Sequence, residues 1–106
     1  MNTKIAIIDY KMSNLFSVKA ACEKVGLSPI VTSNGEEILS SDLAILPGVG
    51  AFGSAMDNIK SLNLDKIIYK YIESGKFFMG ICLGLQLLFE NSEEFGYAKQ
   101  GLGIIK

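Results

Sequence analysis

A chain of 106 residues is one domain at most, and with 49% hydrophobic residues, 20% charged residues and a formal net charge of −1 it has the makings of a buried core. That balance excludes nucleic-acid binding, steering of a polyanionic substrate by bulk charge, and disorder as the basis of function. No apolar run reaches the roughly eighteen residues that a membrane helix needs. Cys22 and Cys82 lie far apart in apolar surroundings and make no disulfide framework, and Met1-Asn2-Thr3-Lys4 runs into an apolar segment without a signal peptide, so a soluble cytoplasmic protein is expected.

Lys4 to Tyr10 is a continuous apolar run around Ile5-Ala6-Ile7-Ile8, the pattern of a strand covered on both faces. Ser13 caps a helix whose buried stripe is Leu15, Val18, Cys22 and Val25, and Gly26 ends it. On that stripe Cys22 reads as a packed core thiol. Pro29 to Thr32 is a short second strand, Ser33-Asn34-Gly35 a turn, and Glu36 to Leu39 a single helical turn. Leu43 to Leu46 forms a third buried strand that enters the glycine-rich loop Pro47-Gly48-Val49-Gly50-Ala51-Phe52-Gly53. Ala55 to Ser74 is helical with an interruption at Asn63-Leu64-Asp65, and Gly75 closes it. A buried strand from Phe77 to Ile81, a helix through Leu85 to Phe89, a solvated loop at Asn91-Ser92-Glu93-Glu94 and a last strand from Gly101 to Lys106 complete the reading. Strands alternating with helices specify an α/β fold, an open parallel sheet of about four strands in a three-layer sandwich. The last strand has no partner after it, so the chain is expected to be the first part of a larger domain.

Two segments gather chemistry. Gly80-Ile81-Cys82-Leu83-Gly84 joins an apolar strand to a helix, the context of a nucleophile elbow, in which glycines on either side of the thiol let the backbone turn sharply. The free N–H groups at the start of the following helix favour a thiolate and can hold an oxyanion. A small apolar cysteine filling an ordinary βα turn fits the same spacing. Pro47 to Gly53 leaves the carboxyl end of a parallel strand, the edge at which open α/β sheets bind ligands. It lacks the Gly-Lys-Ser/Thr ending of a phosphate loop. Backbone donors beside a reacting carbonyl suit it better, and a plain Pro-Gly linker remains the alternative.

Taken with Ile8-Asp9-Tyr10-Lys11-Met12-Ser13-Asn14-Leu15, the segments Pro47-Gly48-Val49-Gly50-Ala51-Phe52 and Gly80-Ile81-Cys82-Leu83-Gly84-Leu85-Gln86-Leu87-Leu88-Phe89 resemble the class I (triad) glutamine amidotransferases. Within that flavodoxin-like family the likeness is to glutaminase subunits of histidine biosynthesis, which pass ammonia to a (β/α)₈ barrel cyclase in a heterodimer. The resemblance implies L-glutamine as substrate, no cofactor or metal, and Cys82 as the nucleophile that forms a γ-glutamyl thioester. It implies oxyanion donors around Val49 and Gly50 and at the N–H of Leu83, with Gly48, Gly50 and Gln86 holding the glutamine.

The sequence departs from the family in three ways. Lys11 and Ser13 stand where the family has glycines, and the chain has no histidine. The family's Phe-His-Pro-Glu type segment, which completes the triad, has no counterpart, so residues 1–106 match the N-terminal part of a single amidotransferase domain. A missing general base costs on the order of 10² to 10⁴ in rate. A glutaminase, an inactive remnant, a paralogue that feeds a sugar-modifying amidotransferase and an unrelated flavodoxin-like module all remain open on sequence grounds.

Overall fold

Ile5-Ala6-Ile7-Ile8 has no polar side to offer solvent, and the fold places it where neither face meets any. A computed structural model describes residues 3–11, 15–48, 51–81, 84, 87, 88, 91, 92 and 99–104. Strands β1 (Ile5–Ile8), β2 (Ile30–Thr32), β3 (Leu43–Leu46) and β4 (Phe77–Gly80) form one parallel sheet in the order β2-β1-β3-β4. The crossovers are made by helices α1 (Leu15–Lys24), α2 (Gly35–Leu39), α3 (Phe52–Ser61) and α4 (Leu64–Glu73). The register aligns Ala6, Ala44 and Phe78 in one row across the sheet, and Ile7, Ile45 and Met79 in the next. Because side chains alternate along a strand, these two rows face opposite ways.

The first face carries Ala6, Ile8, Ala44 and Leu46, covered by Ile38 of α2, by Phe52, Ala55, Met56 and Ile59 of α3, and by Leu64, Ile68 and Tyr71 of α4. The second face carries Ile5, Ile7 and Ile45 beneath Leu15, Val18 and Cys22 of α1. Helices on both sides of a parallel sheet make the three-layer sandwich that the sequence predicts. At about 1.5–3 kcal/mol for each fully buried aliphatic or aromatic side chain, the first face supplies most of the stability.

Several boundaries differ from expectation. The helix read as Ala55 to Ser74 begins at Phe52 and breaks at Asn63, which takes φ 58°, a left-handed conformation that asparagine tolerates better than most residues. Asn34 caps α2 by accepting from the N–H of Glu37 at 3.1 Å. Val25, expected on the buried stripe, lies past the end of α1 in the turn that Gly26 makes at φ 88°, and is 73% exposed, while Leu27 after the turn packs back onto the sheet. Ser13 lies outside the described residues.

The largest correction concerns β4. It was expected to be buried, yet it is the edge strand, with Phe77 80% exposed and Met79 48% exposed. Helix α1 packs chiefly against β1 and β2, so among the described residues the second face of β4 is left largely open at Phe77 and Met79. The polar segment after the elbow is not wholly a loop. Asn91–Ser92 forms β5, paired antiparallel with Lys99–Gln100 as β6. The segment after β6, expected to be a strand, is irregular from Gly101 to Gly103. It is held by bonds from Leu102 N–H to the Leu87 carbonyl and from Ile104 N–H to the Leu88 carbonyl, both 2.8 Å, and by the Tyr69 hydroxyl on the Leu102 carbonyl at 2.6 Å.

Candidate active site at the carboxyl edge of the sheet

Parallel strands end together, so the loops after β1, β3 and β4 emerge on one edge. There the backbone is bonded across strands. Ile81, the residue after β4, donates its N–H to the Leu46 carbonyl at 3.0 Å, continuing the β3–β4 ladder past Gly80. Three residues later the Gly84 N–H donates to the Ile81 carbonyl at 2.8 Å, so the chain folds back at once. The turn is tight against its neighbour. A Cβ on Gly84 would stand 1.7 Å from the Leu46 oxygen, 2.6 Å from the Leu46 carbonyl carbon and 3.2 Å from that of Pro47. Only glycine fits, which is the role expected of it at an elbow. Leu87 and Leu88, one turn on, are buried in the core beneath the first face.

Gly48 is buried at the exit of β3, directly after Pro47. Cys82, Leu83, Gln86, Val49 and Gly50, the other residues singled out from the sequence, lie outside the described residues. What the structure brings together is their frame. Ile81 and Gly84, which flank Cys82 and Leu83 in the sequence, rest on Leu46 and Pro47, which precede Gly48, Val49 and Gly50.

Sequence reasoning missed Tyr10. Its side chain is fully buried and its hydroxyl donates to the Pro47 carbonyl at 2.5 Å, tying the exit of β1 to the exit of β3. Burial pushes the phenol from its ordinary 10.0 up to about 12, so it remains a donor at any physiological pH. The available signal was its place, an aromatic residue with a polar tip two positions past a central strand. Beside it, Asp9 donates its N–H to Thr32 at 2.9 Å and its Oδ1 accepts from the N–H of Lys11 at 3.0 Å. Lys11 has φ 70°. Glycine takes that left-handed conformation without cost, and lysine occupies it under strain.

Among the described residues no three His, Cys, Asp or Glu side chains are grouped to hold a metal. A cleft of about 570 Å³ opens elsewhere, among Lys4, Leu27, Ser28, Glu37 and Ser41 at the amino ends of the strands. It is on the opposite edge from the elbow frame.

The carboxyl edge of the sheet thus sets the turn after β4 directly against the exit of β3. Residues 6–101 match the model of the glutamine amidotransferase class-I family, and the chain belongs to that family. It is 50% identical over 101 residues to the imidazole glycerol phosphate synthase subunit HisH of Bacillus velezensis, matching 95% of this chain and 47% of that protein. To the subunit of the same name from Aquifex aeolicus it is 54% identical over 104 residues, 97% of this chain and 50% of the relative. The chain therefore spans about half the length of the curated relatives it matches. Among solved structures it superposes on a glutamine amidotransferase with a TM-score of 0.78 at 17% identity, covering 94% of this chain and 52% of the other. A peptidase E protein from Listeria monocytogenes superposes with a TM-score of 0.74 at 20% identity, over 98% and 63%. At those identities the likeness is one of fold.

Proposed function

We propose that this chain is the nucleophile-bearing part of a glutaminase that supplies ammonia to an imidazole glycerol phosphate synthase. The observation that carries the reading is the fit of Gly84 against Leu46 and Pro47, the close backbone approach that an elbow after β4 beside a Pro-Gly loop requires. The half-identical relatives named as HisH subunits support the choice of acceptor system.

In this reading the Cys82 thiolate attacks the side-chain amide carbon of L-glutamine. The oxyanion that forms is met by backbone N–H groups around Val49 and Gly50 and by that of Leu83, while Gly48, Gly50 and Gln86 hold the substrate. Collapse breaks the carbon–nitrogen bond, and the nitrogen takes up a proton and leaves as ammonia. Water then attacks the γ-glutamyl thioester, releasing glutamate and restoring the thiol. The chain contains no histidine, so the proton carrier comes from polypeptide beyond these residues. Ammonia passes to a (β/α)₈ barrel cyclase subunit in a heterodimer, and the chemistry requires no cofactor. That absent histidine favours one other reading, a remnant that keeps the fold without the catalysis.

The test is glutamate release by the purified chain alone, with a barrel synthase, and with the polypeptide corresponding to the remaining half of a HisH relative, each beside Cys82→Ala. Release in any combination that vanishes in the variant supports the glutaminase. Its absence in all three from a folded chain supports the remnant.

A further inference from the structure

The three links before Gly48 are fixed by three different devices. Leu46 is held by the sheet, since it pairs with Gly80 and its carbonyl accepts from Ile81. Pro47 has its φ fixed by its own ring. Its ψ, the one soft torsion left, decides where its carbonyl points, and that carbonyl is taken by the Tyr10 hydroxyl. The peptide that follows is planar, so the Gly48 N–H must point opposite to the Pro47 oxygen. Without the phenol, that peptide could rotate about the Pro47 Cα–C bond and carry everything after it along.

We propose that Tyr10 is a positioning residue for the reaction, its buried hydroxyl fixing the Pro47–Gly48 peptide and thereby the start of the loop that carries the oxyanion donors. The proposal rests on the glutaminase reading and deepens it. Tyr10 touches no substrate and acts only through Pro47. Burial keeps the phenol protonated, so the bond persists across the working pH range. A second buried tyrosine provides an internal control. Tyr71 packs in the same core, and its hydroxyl donates to the Ser41 carbonyl at 3.1 Å, before the amino end of β3 and away from the elbow. Losing that hydroxyl removes a comparable buried bond without touching the loop.

The experiment compares the chain with Y10F and Y71F, using two reagents for Cys82. One is the chloromethyl ketone analogue of glutamine, whose carbonyl must be polarised by the oxyanion donors; the other is iodoacetamide, which needs no such help. Y10F is expected to slow the ketone by about tenfold or more, since small misplacements at a reacting centre cost on that order. Iodoacetamide should react at an unchanged rate, and Y71F should alter neither. In amide NMR the Y10F shifts should be confined to the loop from Gly48 to Ala51. Equal effects of both variants on the ketone, or an undisturbed Gly48 amide in Y10F, would overturn the proposal. So would a Y10F chain that loses its far-UV spectrum while Y71F keeps it, which would assign Tyr10 to the core alone. A parent chain that reacts no faster with the ketone than with iodoacetamide even beside the polypeptide corresponding to the remaining half of a HisH relative sinks the glutaminase reading itself, and with it any reaction for Tyr10 to serve, whatever the loop amides show.

Discussion

Gly84 and Leu46 touch through backbone alone: a Cβ on the glycine would stand 1.7 Å from the leucine oxygen. Neither partner can yield, because the Leu46 carbonyl is bonded to Ile81 and belongs to a central strand. Gly84→Ala is therefore expected to destabilise by about 3 kcal/mol or more, at the upper end of overpacking costs. A urea midpoint in Gly84→Ala equal to that of the parent would show that the elbow does not rest on β3.

Lys11 makes the opposite case. At φ 70° a residue with a Cβ pays roughly 1–2 kcal/mol, part of which glycine gives back through its freer unfolded chain. Lys11→Gly should raise stability by about 0.5–1 kcal/mol. Chemical denaturation measures it, and an unchanged or lowered midpoint counts against the left-handed geometry.

Tyr10 links stability to alkaline pH. Its pKa is raised in the folded state to about 12 from 10.0, so the neutral phenol is the favoured form in the fold. The stabilisation is complete below pH 10, the unfolded value, and is lost as pH rises through 12. Two units correspond to about 2–3 kcal/mol. Burial also raises Tyr71, with the same sign. Denaturation midpoints measured from pH 8 to 12 should therefore fall less steeply in Y10F than in the parent, and parallel curves would contradict the assignment.

Phe77, 80% exposed on the edge strand, invites association between copies. Phe77→Lys should leave stability within about 0.5 kcal/mol and reduce concentration-dependent self-association. Sedimentation velocity over a range of concentrations checks this, and identical profiles for variant and parent would show that the bare strand is not the sticky surface.

The central strands were legible because Ile5 to Ile8 and Leu43 to Leu46 are apolar at every position, a pattern that has one explanation in an α/β chain. Two glycines framing a cysteine between a strand and a leucine stripe fit an elbow and an ordinary βα turn alike, and the tightness of that turn shows only in the closeness of Gly84 to Leu46. What was not legible depended on neighbours. Phe77-Phe78-Met79 has the composition of a buried strand, and only the sheet order shows it at the edge. Asn91-Ser92 is polar enough to read as loop, and its pairing with Lys99-Gln100 is set by backbone bonds that side chains do not announce. Tyr10 was invisible as a site residue because its partner is a carbonyl 37 positions away.

The bare side of β4 also sets a hierarchy of opening. β1 is sandwiched between two strands and two helical layers, whereas β4 is paired along one side and covered on one face. Its amides should exchange with solvent through small local fluctuations while those of β1 and β3 exchange only with global unfolding. The strand that delivers the cysteine is thus the least protected of the central sheet's three longer strands. Any polypeptide that settles over Phe77 and Met79 would slow exchange there first, making the rigidity of the strand before Cys82 a property acquired on assembly.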